Sequence, residues 1–318
     1  MRRASAAGAL TVALLAAACS SGGANGPTVA SGEGPTTTAT PTTATTSPAT
    51  TSTSSSAGAQ PRVSSDPAAL AAQLVLDEQA IRDTATAPGA FNAAARRAQL
   101  AYRVVGRHEE WDAIVLGVVP AALQIAVKRS IDARRQFTAM AAEMPLKDTL
   151  PAWRIDQPAA TDELLGYYHE AESAFGVGWS YLAAINLVET DLGRIVGLST
   201  AGAQGPMQFL PATWAAFGAG GDINSPHDAI LGAARYLAAN GFTEGNVDGA
   251  LRRYNNSEHY VAAVNDYAAA LADEPATFAA YHEWDVYYLT VAGDVLLPVG
   301  YEQAARVPVA DYLATHPQ

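Results

Sequence analysis

The sequence predicts a mainly α-helical protein with one small β-hairpin near the end of the chain. Apolar residues recur at helical spacing, as at Leu70, Leu74 and Ile81, and this spacing is typical of amphipathic helices. Capping residues precede the helical segments, and Gly or Asn follows several of them, as helix boundaries require. Segments 285–291 and 295–299 are instead rich in Tyr and Val and flank an Ala-Gly-Asp turn, which predicts the hairpin.

The composition allows one or two folded domains and disfavours several functions. Hydrophobic residues make up 49% of the 318 positions and charged residues 16%, so the chain can bury a sizeable core. The formal net charge is −12, and without a basic surface nucleic acid is not an expected partner. The six histidines are scattered, and neither His108-Glu109 nor His282-Glu283 continues into a second ligand at helical spacing. No metal and no cofactor are therefore expected.

The first residues have the pattern of an export signal. Arg2 and Arg3 precede a short apolar run that ends in small residues, so segment 1–18 is expected to be a signal peptide. The next residue, Cys19, is the only cysteine and cannot form an internal disulfide. Its setting after Leu-Leu-Ala-Ala-Ala resembles a bacterial lipoprotein signal, which implies a lipidated Cys19 on the outer face of the cytoplasmic membrane. Ordinary secretion with an incidental thiol is the alternative.

Segment 19–60 is predicted to be a disordered tether that begins at the lipidated Cys19. It consists almost wholly of Ser, Thr, Ala, Gly and Pro, with Glu33 as its one charged residue between positions 20 and 59. Such a segment has no apolar face to bury. As a flexible coil of about 40 residues it would reach ~35 Å.

Segment 61–157 is predicted to be an N-terminal helical region. The predicted helices in it cover residues 67–84, 89–106 and 109–144. Asp66 is a suitable cap for the first, Pro67 suits its first turn, and Pro120 is expected to bend the third. We interpret these helices as support packed against the following domain, with a regulatory or wall-docking module as the alternative.

Two arginine pairs lie in this region, Arg96-Arg97 and Arg134-Arg135. No reactive residues accompany them, so we interpret both pairs as solvated faces.

Segment 158–275 is predicted to be a second helical domain, reached through a proline-marked connector over 145–158. Its predicted helices cover residues 161–176, 179–189, 211–214 and 226–240, with a last one capped by Ser257. The remaining segment, 276–318, is a C-terminal extension that carries the hairpin.

Glu189 is the candidate reactive residue of this domain. It ends a helix with apolar or small residues nearly all round, as expected for a helix buried inside a domain. A carboxylate there must be paired, neutral or in a cleft, because a buried unpaired charge is too costly. Burial also raises the pKa of a carboxyl group, which keeps an acid protonated for proton donation. The alternative is that Glu189 simply ends the helix and pairs with Arg194.

A glycine-broken loop follows this helix and carries an ordered set of residues. The set comprises Ser199, Gly202, Ala203, Gly205, Met207, Gln208, Pro211 and Thr213. Together with Glu189-Thr190, it resembles the soluble lytic transglycosylase (SLT) family of peptidoglycan-cleaving enzymes, whose fold is lysozyme-like. That family follows its catalytic Glu with Ser or Thr and then with S-x-x-G-A-x-G-L-M-Q-x-x-P-x-T. Pro206 departs from the pattern, since the family usually has Leu there.

A third motif lies downstream, where Arg253-Tyr254-Asn255-Asn256 is followed by Tyr260-Val261. The SLT family carries a Tyr-Asn pair at this distance and then a helix that opens with Tyr-Val. Three motifs in the correct order are far more specific than one. The resemblance covers roughly residues 161–272 and says nothing of the rest of the chain.

The resemblance implies a role for each site residue. Glu189 would be the catalytic acid and base. The expected substrate-binding residues are Ser199, Gly205, Met207, Gln208, Tyr254 and Asn255. The hydroxyl of Tyr254 would orient Glu189, and Asn255 would fix the loop that carries Tyr254.

The resemblance also implies a reaction that needs one carboxylate. Hydrolysis by two carboxylates needs them roughly 5 to 9.5 Å apart, and Asp191 lies ~200° around a helix from Glu189, so we interpret Asp191 as a helix-end residue. The implied reaction cleaves the MurNAc-GlcNAc bond of peptidoglycan and forms a 1,6-anhydro end.

Two alternatives remain at this stage. One is a lysozyme-type muramidase on the same fold, and the other is a non-catalytic wall-binding lipoprotein. The expected partners are peptidoglycan glycan strands, and the membrane through Cys19. The oligomeric state is left open, with a monomer expected.

Overall fold

The computed structural model of the protein describes residues 60–318. The predicted signal peptide, Cys19 and the predicted tether up to residue 59 lie outside the described residues. Within 60–318 the chain is mainly helical, which confirms the predicted class. No helix of this part is both long and apolar enough to cross a bilayer.

The α-helices and the strands are numbered here as two sets, each in chain order. The α-helices are α1 (Pro67–Arg82), α2 (Pro88–Val105), α3 (Asp112–Val118), α4 (Gln124–Ala142), α5 (Thr161–Phe175), α6 (Trp179–Thr190), α7 (Pro211–Phe217), α8 (Pro226–Ala239), α9 (Val247–Tyr254), α10 (Glu258–Asp273), α11 (Thr277–His282) and α12 (Val309–Thr315). The strands are β1 (Thr149–Leu150), β2 (Arg154–Ile155), β3 (Ile195–Val196), β4 (Val286–Thr290), β5 (Gly293–Leu297) and β6 (Val307–Pro308).

Capping side chains begin several of these helices as the sequence predicts. The carboxylate of Asp66 accepts the Ala69 amide at the start of α1. The Ser225 hydroxyl accepts the Asp228 amide at the start of α8, and the Ser257 hydroxyl accepts the Tyr260 amide at the start of α10. Each cap satisfies a backbone donor that the first helical turn leaves free.

The prediction of one bent helix over 109–144 is wrong. Val119 has an extended backbone, with φ −69° and ψ 124°, and it ends α3. A proline forces the residue before it out of the helical region and lacks the amide that would continue the ladder. Pro120 therefore separates α3 from α4 instead of bending a single helix.

The N-terminal helices pack directly on the helices that follow them. One hydrophobic cluster runs from Leu70 and Val127 through Ile131 to Leu182 and Val264, without a break between these regions. Helix α4 lies along α10. This packing agrees with the interpretation of α1 to α4 as support.

The predicted hairpin is present as the antiparallel pair of β4 and β5, with Val286 opposite Leu297 and Thr290 opposite Gly293. Two strands alone are marginally stable in water, and here they pack into a second hydrophobic cluster. That cluster comprises Leu150, Trp153, Ile155, Ile195, Val286, Tyr288, Val295, Leu297, Tyr301, Val309 and Tyr312. The connector 145–158 and the C-terminal extension therefore fold together, which the sequence did not indicate.

The interpretation of the two arginine pairs as solvated faces is wrong. Ion pairs join Arg96 to Asp285 at 2.5 Å, Arg97 to Asp77 at 2.6 Å and Arg135 to Asp112 at 2.8 Å. The guanidinium of Arg134 lies over the ring of Phe137, 5.4 Å from the ring centroid, and its Nε atom is buried. The ion-pair partners lie 20 to 189 residues away in the chain, so local sequence pattern does not reveal them.

Candidate functional site

Glu189 lies in the last turn of α6 and is almost completely buried, with 1% of its surface exposed. The helix ends because Asp191 adopts a left-handed conformation, with φ and ψ both 54°, and its amide still donates to the Leu187 carbonyl. Glu189 is therefore held on a complete helical turn. Its position is set by the helix, not by a mobile loop.

The two carboxyl oxygens of Glu189 have different surroundings. Oε1 accepts a hydrogen bond of 2.9 Å from the hydroxyl of Tyr260. Oε2 is buried and has no hydrogen-bond partner. Burial raises the pKa of Glu189 from its usual 4.5 to about 8, although the Tyr260 bond acts in the opposite direction. Glu189 therefore holds a proton at neutral pH and has one oxygen without a hydrogen-bond partner.

The alternative in which Glu189 pairs with Arg194 is wrong. The Arg194 guanidinium lies 3.7 Å from the carboxylate of Asp191, donates to the side chain of Gln157 at 3.0 Å and bonds the carbonyl of His282. Arg194 thus holds the end of α6 and leaves the Glu189 carboxyl group without a counter-ion.

Thr190, the residue after Glu189, fixes the glycine-broken loop to α6. Its hydroxyl donates to the Pro206 carbonyl at 2.6 Å, and the Asn186 amide donates to the same oxygen at 2.9 Å. The Thr190 oxygen also accepts the Gly193 amide at 3.0 Å. The loop is anchored through a backbone carbonyl at 206, so the replacement of Leu by Pro there keeps the anchor.

The turn around Gly205 and Gln208 is tightly constrained. Gly205 has a φ of +71°, and a Cβ atom there would lie 1.9 Å from the Ile223 carbonyl oxygen, so only glycine fits. Gln208 also has a positive φ, 50°, which is uncommon for a residue with a side chain. The Gln208 amide nitrogen donates to the Gly205 carbonyl at 3.0 Å, whereas its Oε1 is buried and has no partner.

Ser199 and Met207 shape this loop from within. The Ser199 hydroxyl accepts the backbone amides of Ala201 and Ala203. The side chain of Met207 is fully buried in the core, and only its carbonyl is used, as the acceptor for Tyr254. In the described structure both residues hold the loop in place.

The predicted contact between the Tyr254 hydroxyl and Glu189 is wrong. The Tyr254 hydroxyl donates to the Met207 carbonyl at 2.7 Å, and Tyr260 takes the position next to Glu189. The two rings lie nearly parallel with centroids 6.5 Å apart. Both tyrosines belong to the third sequence motif, but only the structure shows which one reaches the carboxyl group.

Asn255 follows Tyr254 at the end of α9 and acts through its backbone. Its amide donates to the Leu251 carbonyl, and its carbonyl accepts the Ser257 amide. These bonds connect α9 to the start of α10, and so they fix Tyr254 relative to Tyr260.

Asp191 is a helix-end residue, as the sequence predicts, yet it is also a buried carboxyl group. Burial raises its pKa to about 7, against the attraction of Arg194. Its Oδ2 makes no hydrogen bond. Glu189 and Asp191 both line a narrow cavity of about 50 Å³. Burial and the Tyr260 bond account for the change in the Glu189 pKa without any contribution from Asp191.

One comparison with known proteins matches the chain. Residues 196–249 match the family described as "Transglycosylase SLT domain". The match supports the SLT family recognised from the motifs, and the mainly helical fold is consistent with a lysozyme-like SLT domain. The matched residues contain the whole anchored loop, whereas Glu189 lies before them and Tyr254 and Tyr260 lie after them. No curated protein and no solved structure matches the chain.

Glu189 should make the fold less stable as the pH rises from about 4.5 to about 8. The unfolded chain loses this proton near pH 4.5, whereas the folded chain keeps it to about 8. The unfolded state therefore binds fewer protons in this interval, and the free energy of unfolding falls. Glu189→Gln has no proton to lose, so its stability relative to the parent should rise across this window, by on the order of a few kcal/mol.

Urea unfolding of parent and variant below, within and above this window measures the difference. The contribution of Asp191 cancels because both proteins contain it. Glu244→Gln, an identical change at an exposed position, should follow the parent throughout. A Glu189→Gln difference that stays constant from the acid to the alkaline end would show that Glu189 ionises at the same pH in the folded and unfolded chains.

Proposed function

We propose that the protein is a lytic transglycosylase that cleaves the β-1,4 bond between MurNAc and GlcNAc in peptidoglycan. At the level of the family, the SLT match indicates lytic transglycosylase activity on peptidoglycan. The observation that carries the finer proposal is the state of Glu189, which is protonated at neutral pH and has an unpartnered oxygen. This state is the one that a general acid needs before it gives its proton to a leaving oxygen.

In the proposed first step, Glu189 gives its proton to the oxygen that joins the two sugars. The bond between that oxygen and the muramoyl anomeric carbon breaks, and the GlcNAc side leaves as an alcohol. Positive charge develops at the anomeric carbon, where the acetamido group of the same sugar is expected to stabilise it. Glu189 is then a carboxylate, held by the hydroxyl of Tyr260.

In the second step, the muramoyl 6-hydroxyl attacks the anomeric carbon and gives its proton to Glu189. A 1,6-anhydro ring forms, and the acid is restored without water. One residue serves as acid and base in turn, so its pKa must lie near the working pH. Burial raises the Glu189 pKa and the Tyr260 bond lowers it, and the balance is a pKa of about 8.

The loop supplies a second buried acceptor. The Oε1 atom of Gln208 has no partner in the described structure, and leaving such a group buried and unbonded costs free energy. An acetamido N–H of the substrate would satisfy it. The bond from its Nε2 to the Gly205 carbonyl holds this amide, in a turn closed by paired backbone hydrogen bonds between Gln204 and Phe209.

Mass spectrometry of fragments released from purified peptidoglycan tests the proposal. The parent protein should release products that end in 1,6-anhydro-muramic acid, and Glu189→Gln should lower the rate by roughly 10² to 10⁴. Glu244→Gln is the control and should match the parent. Reducing ends heavier by one water would identify the lysozyme-type hydrolase instead. A folded parent that releases nothing would favour the wall-binding alternative.

Tyr260→Phe should move the alkaline limb of the pH profile of kcat/KM upward. The hydroxyl of Tyr260 stabilises the ionised form of Glu189 and lowers its pKa. Without it the acid should stay protonated to a pH about half a unit to one unit higher. Tyr254→Phe is the matched control. It loses only the bond to the Met207 carbonyl, so it should lower kcat/KM without moving the limb, and equal shifts in both variants would contradict the assignment of Tyr260.

We propose also that the protein is exported and anchored through a lipid on Cys19. The sequence pattern that ends at Cys19 supports this proposal. In a bacterial host supplied with labelled fatty acid, the parent should carry the label and fractionate with membranes, whereas Cys19→Ser should carry none and leave the membrane fraction. An unlabelled parent in the medium would favour ordinary secretion.

A further inference from the structure

A half-open cavity of about 220 Å³ lies between the N-terminal helices and the hairpin. Its lining comes from α2, α4, the connector and β4–β5, outside the residues of the SLT match. The lining residues are Arg103, Arg107, Arg134, Phe137, Thr138, Met140, Ala141, Ala142, Leu146, Leu289 and Asp294. Nothing in the reaction proposed for Glu189 explains this cavity.

The ionisable groups in the lining are three arginines and one carboxylate. Arg103 and Arg107 both bind Asp294, at 2.6 Å and 2.5 Å. Arg134 forms no ion pair with any carboxylate in residues 60–318. Three positive charges against one negative charge leave the lining with a surplus of positive charge, in a chain whose net charge is −12.

Arg134 is the group that needs a partner. The side chain is half-buried as a whole and hydrogen-bonds Tyr267, but its Nε atom is buried and has no hydrogen-bond acceptor. Burial and the charge of Arg103 lower its pKa to about 10, so it is still charged at neutral pH. A buried donor without an acceptor is costly, and a carboxylate is the ligand that matches a guanidinium best.

The rest of the lining is apolar. Phe137, Met140 and Leu289 form its walls together with two alanines, and Leu146, which is 53% exposed, stands at its rim. Such walls suit small aliphatic groups and leave the hydroxyls of a sugar without partners. The cavity therefore fits a ligand with a carboxylate and short apolar side chains.

A second, narrower cavity that Glu189 lines lies next to this one. The narrow cavity that Glu189 lines shares three residues with it, Arg103, Arg134 and Phe137. The two cavities are therefore neighbours on either side of Arg103, Arg134 and Phe137. In peptidoglycan, the muramic acid next to the bond to be cleaved carries a lactyl group and a short peptide that begins with alanine and bears free carboxylates.

We propose that this cavity binds a carboxylate of the peptide stem on the muramic acid, with Arg134 as its main partner. The inference rests on the proposed function for its substrate, but its own site lies on different elements. The N-terminal helices and the hairpin then contribute to substrate binding as well as to support.

The test compares two substrates, peptidoglycan strands with stems and strands from which an amidase has removed them. The quantity measured is kcat/KM for strands with stems divided by kcat/KM for strands without stems. Arg134→Gln should lower this ratio about tenfold. Arg135→Gln changes the next residue, which pairs with Asp112 outside the cavity, and should keep the parent ratio. A parent ratio in folded Arg134→Gln would overturn the proposal.

Binding of N-acetylmuramoyl-L-alanyl-D-glutamate, measured by calorimetry on Glu189→Gln, separates this proposal from the proposed function. Binding should weaken about tenfold in the double variant Glu189→Gln/Arg134→Gln. It should weaken equally when the ligand carboxylates are converted to amides. Arg134→Lys in place of Arg134→Gln should restore part of the lost affinity. Binding that depends on Arg134 in a protein without lytic activity would keep the site and remove the proposed function. Cleavage of peptidoglycan by a protein whose ligand binding does not depend on Arg134 would keep the proposed function and remove this site. Equal binding of inorganic phosphate would identify a general anion site and overturn the inference.

If Arg134→Gln unfolds, Arg107→Gln serves as the second variant. The Arg107 side chain is 36% exposed and pairs with Asp294 at the edge of the cavity. Arg107→Gln should also lower the ratio of kcat/KM with stems to kcat/KM without stems, and an unchanged ratio would count against the proposal.

Discussion

The burial of the Glu189 carboxyl group is the constraint on which the rest of the structure depends. A carboxyl group at 1% exposure with no counter-ion is stable in the folded chain only as the neutral acid. Its setting requires α10, which brings the hydroxyl of Tyr260 to Oε1, and α10 is packed in turn against α4. Helix α4 therefore supports the helix that places the Tyr260 hydroxyl beside Glu189, although α4 lies far from Glu189 in the sequence and outside the SLT motifs.

A second constraint is the single carbonyl at Pro206. Asn186 and Thr190 both donate to it, and both belong to the helix that carries Glu189. The loop is therefore attached directly to the helix that carries the acid. The Tyr254 bond to the neighbouring Met207 carbonyl ties the same loop to α9. Ser199, Met207 and Asn255, which the motifs place in the substrate groove, hold this frame together, so their presence in the motif has a structural reason as well.

The sequence predicts the parts of the site that depend on local pattern. Glu189 on its apolar helix, the glycine turn at Gly205 and the caps at Ser225 and Ser257 follow from neighbours a few residues apart. Pairings between distant segments are not predictable in this way. Three features depend on contacts across more than 60 residues of chain. They are the position of Tyr260, instead of Tyr254, beside Glu189, the ion pair of Arg96, and the folding of the connector onto the C-terminal extension. A helical wheel also cannot show that Asp191 turns into a left-handed cap.

An acidic protein that acts on an anionic wall polymer needs a local source of attraction. Fields between exposed charges are screened over about 8 Å at physiological salt, so the net charge of −12 affects the encounter more than the bound complex. A half-buried group such as Arg134 is screened much less, and its interaction with a carboxylate at contact distance is strong. In the proposed complex, the arginines that line the cavity would let a negatively charged protein hold a negatively charged substrate, because repulsion between the surfaces is screened while attraction inside the cavity is screened much less.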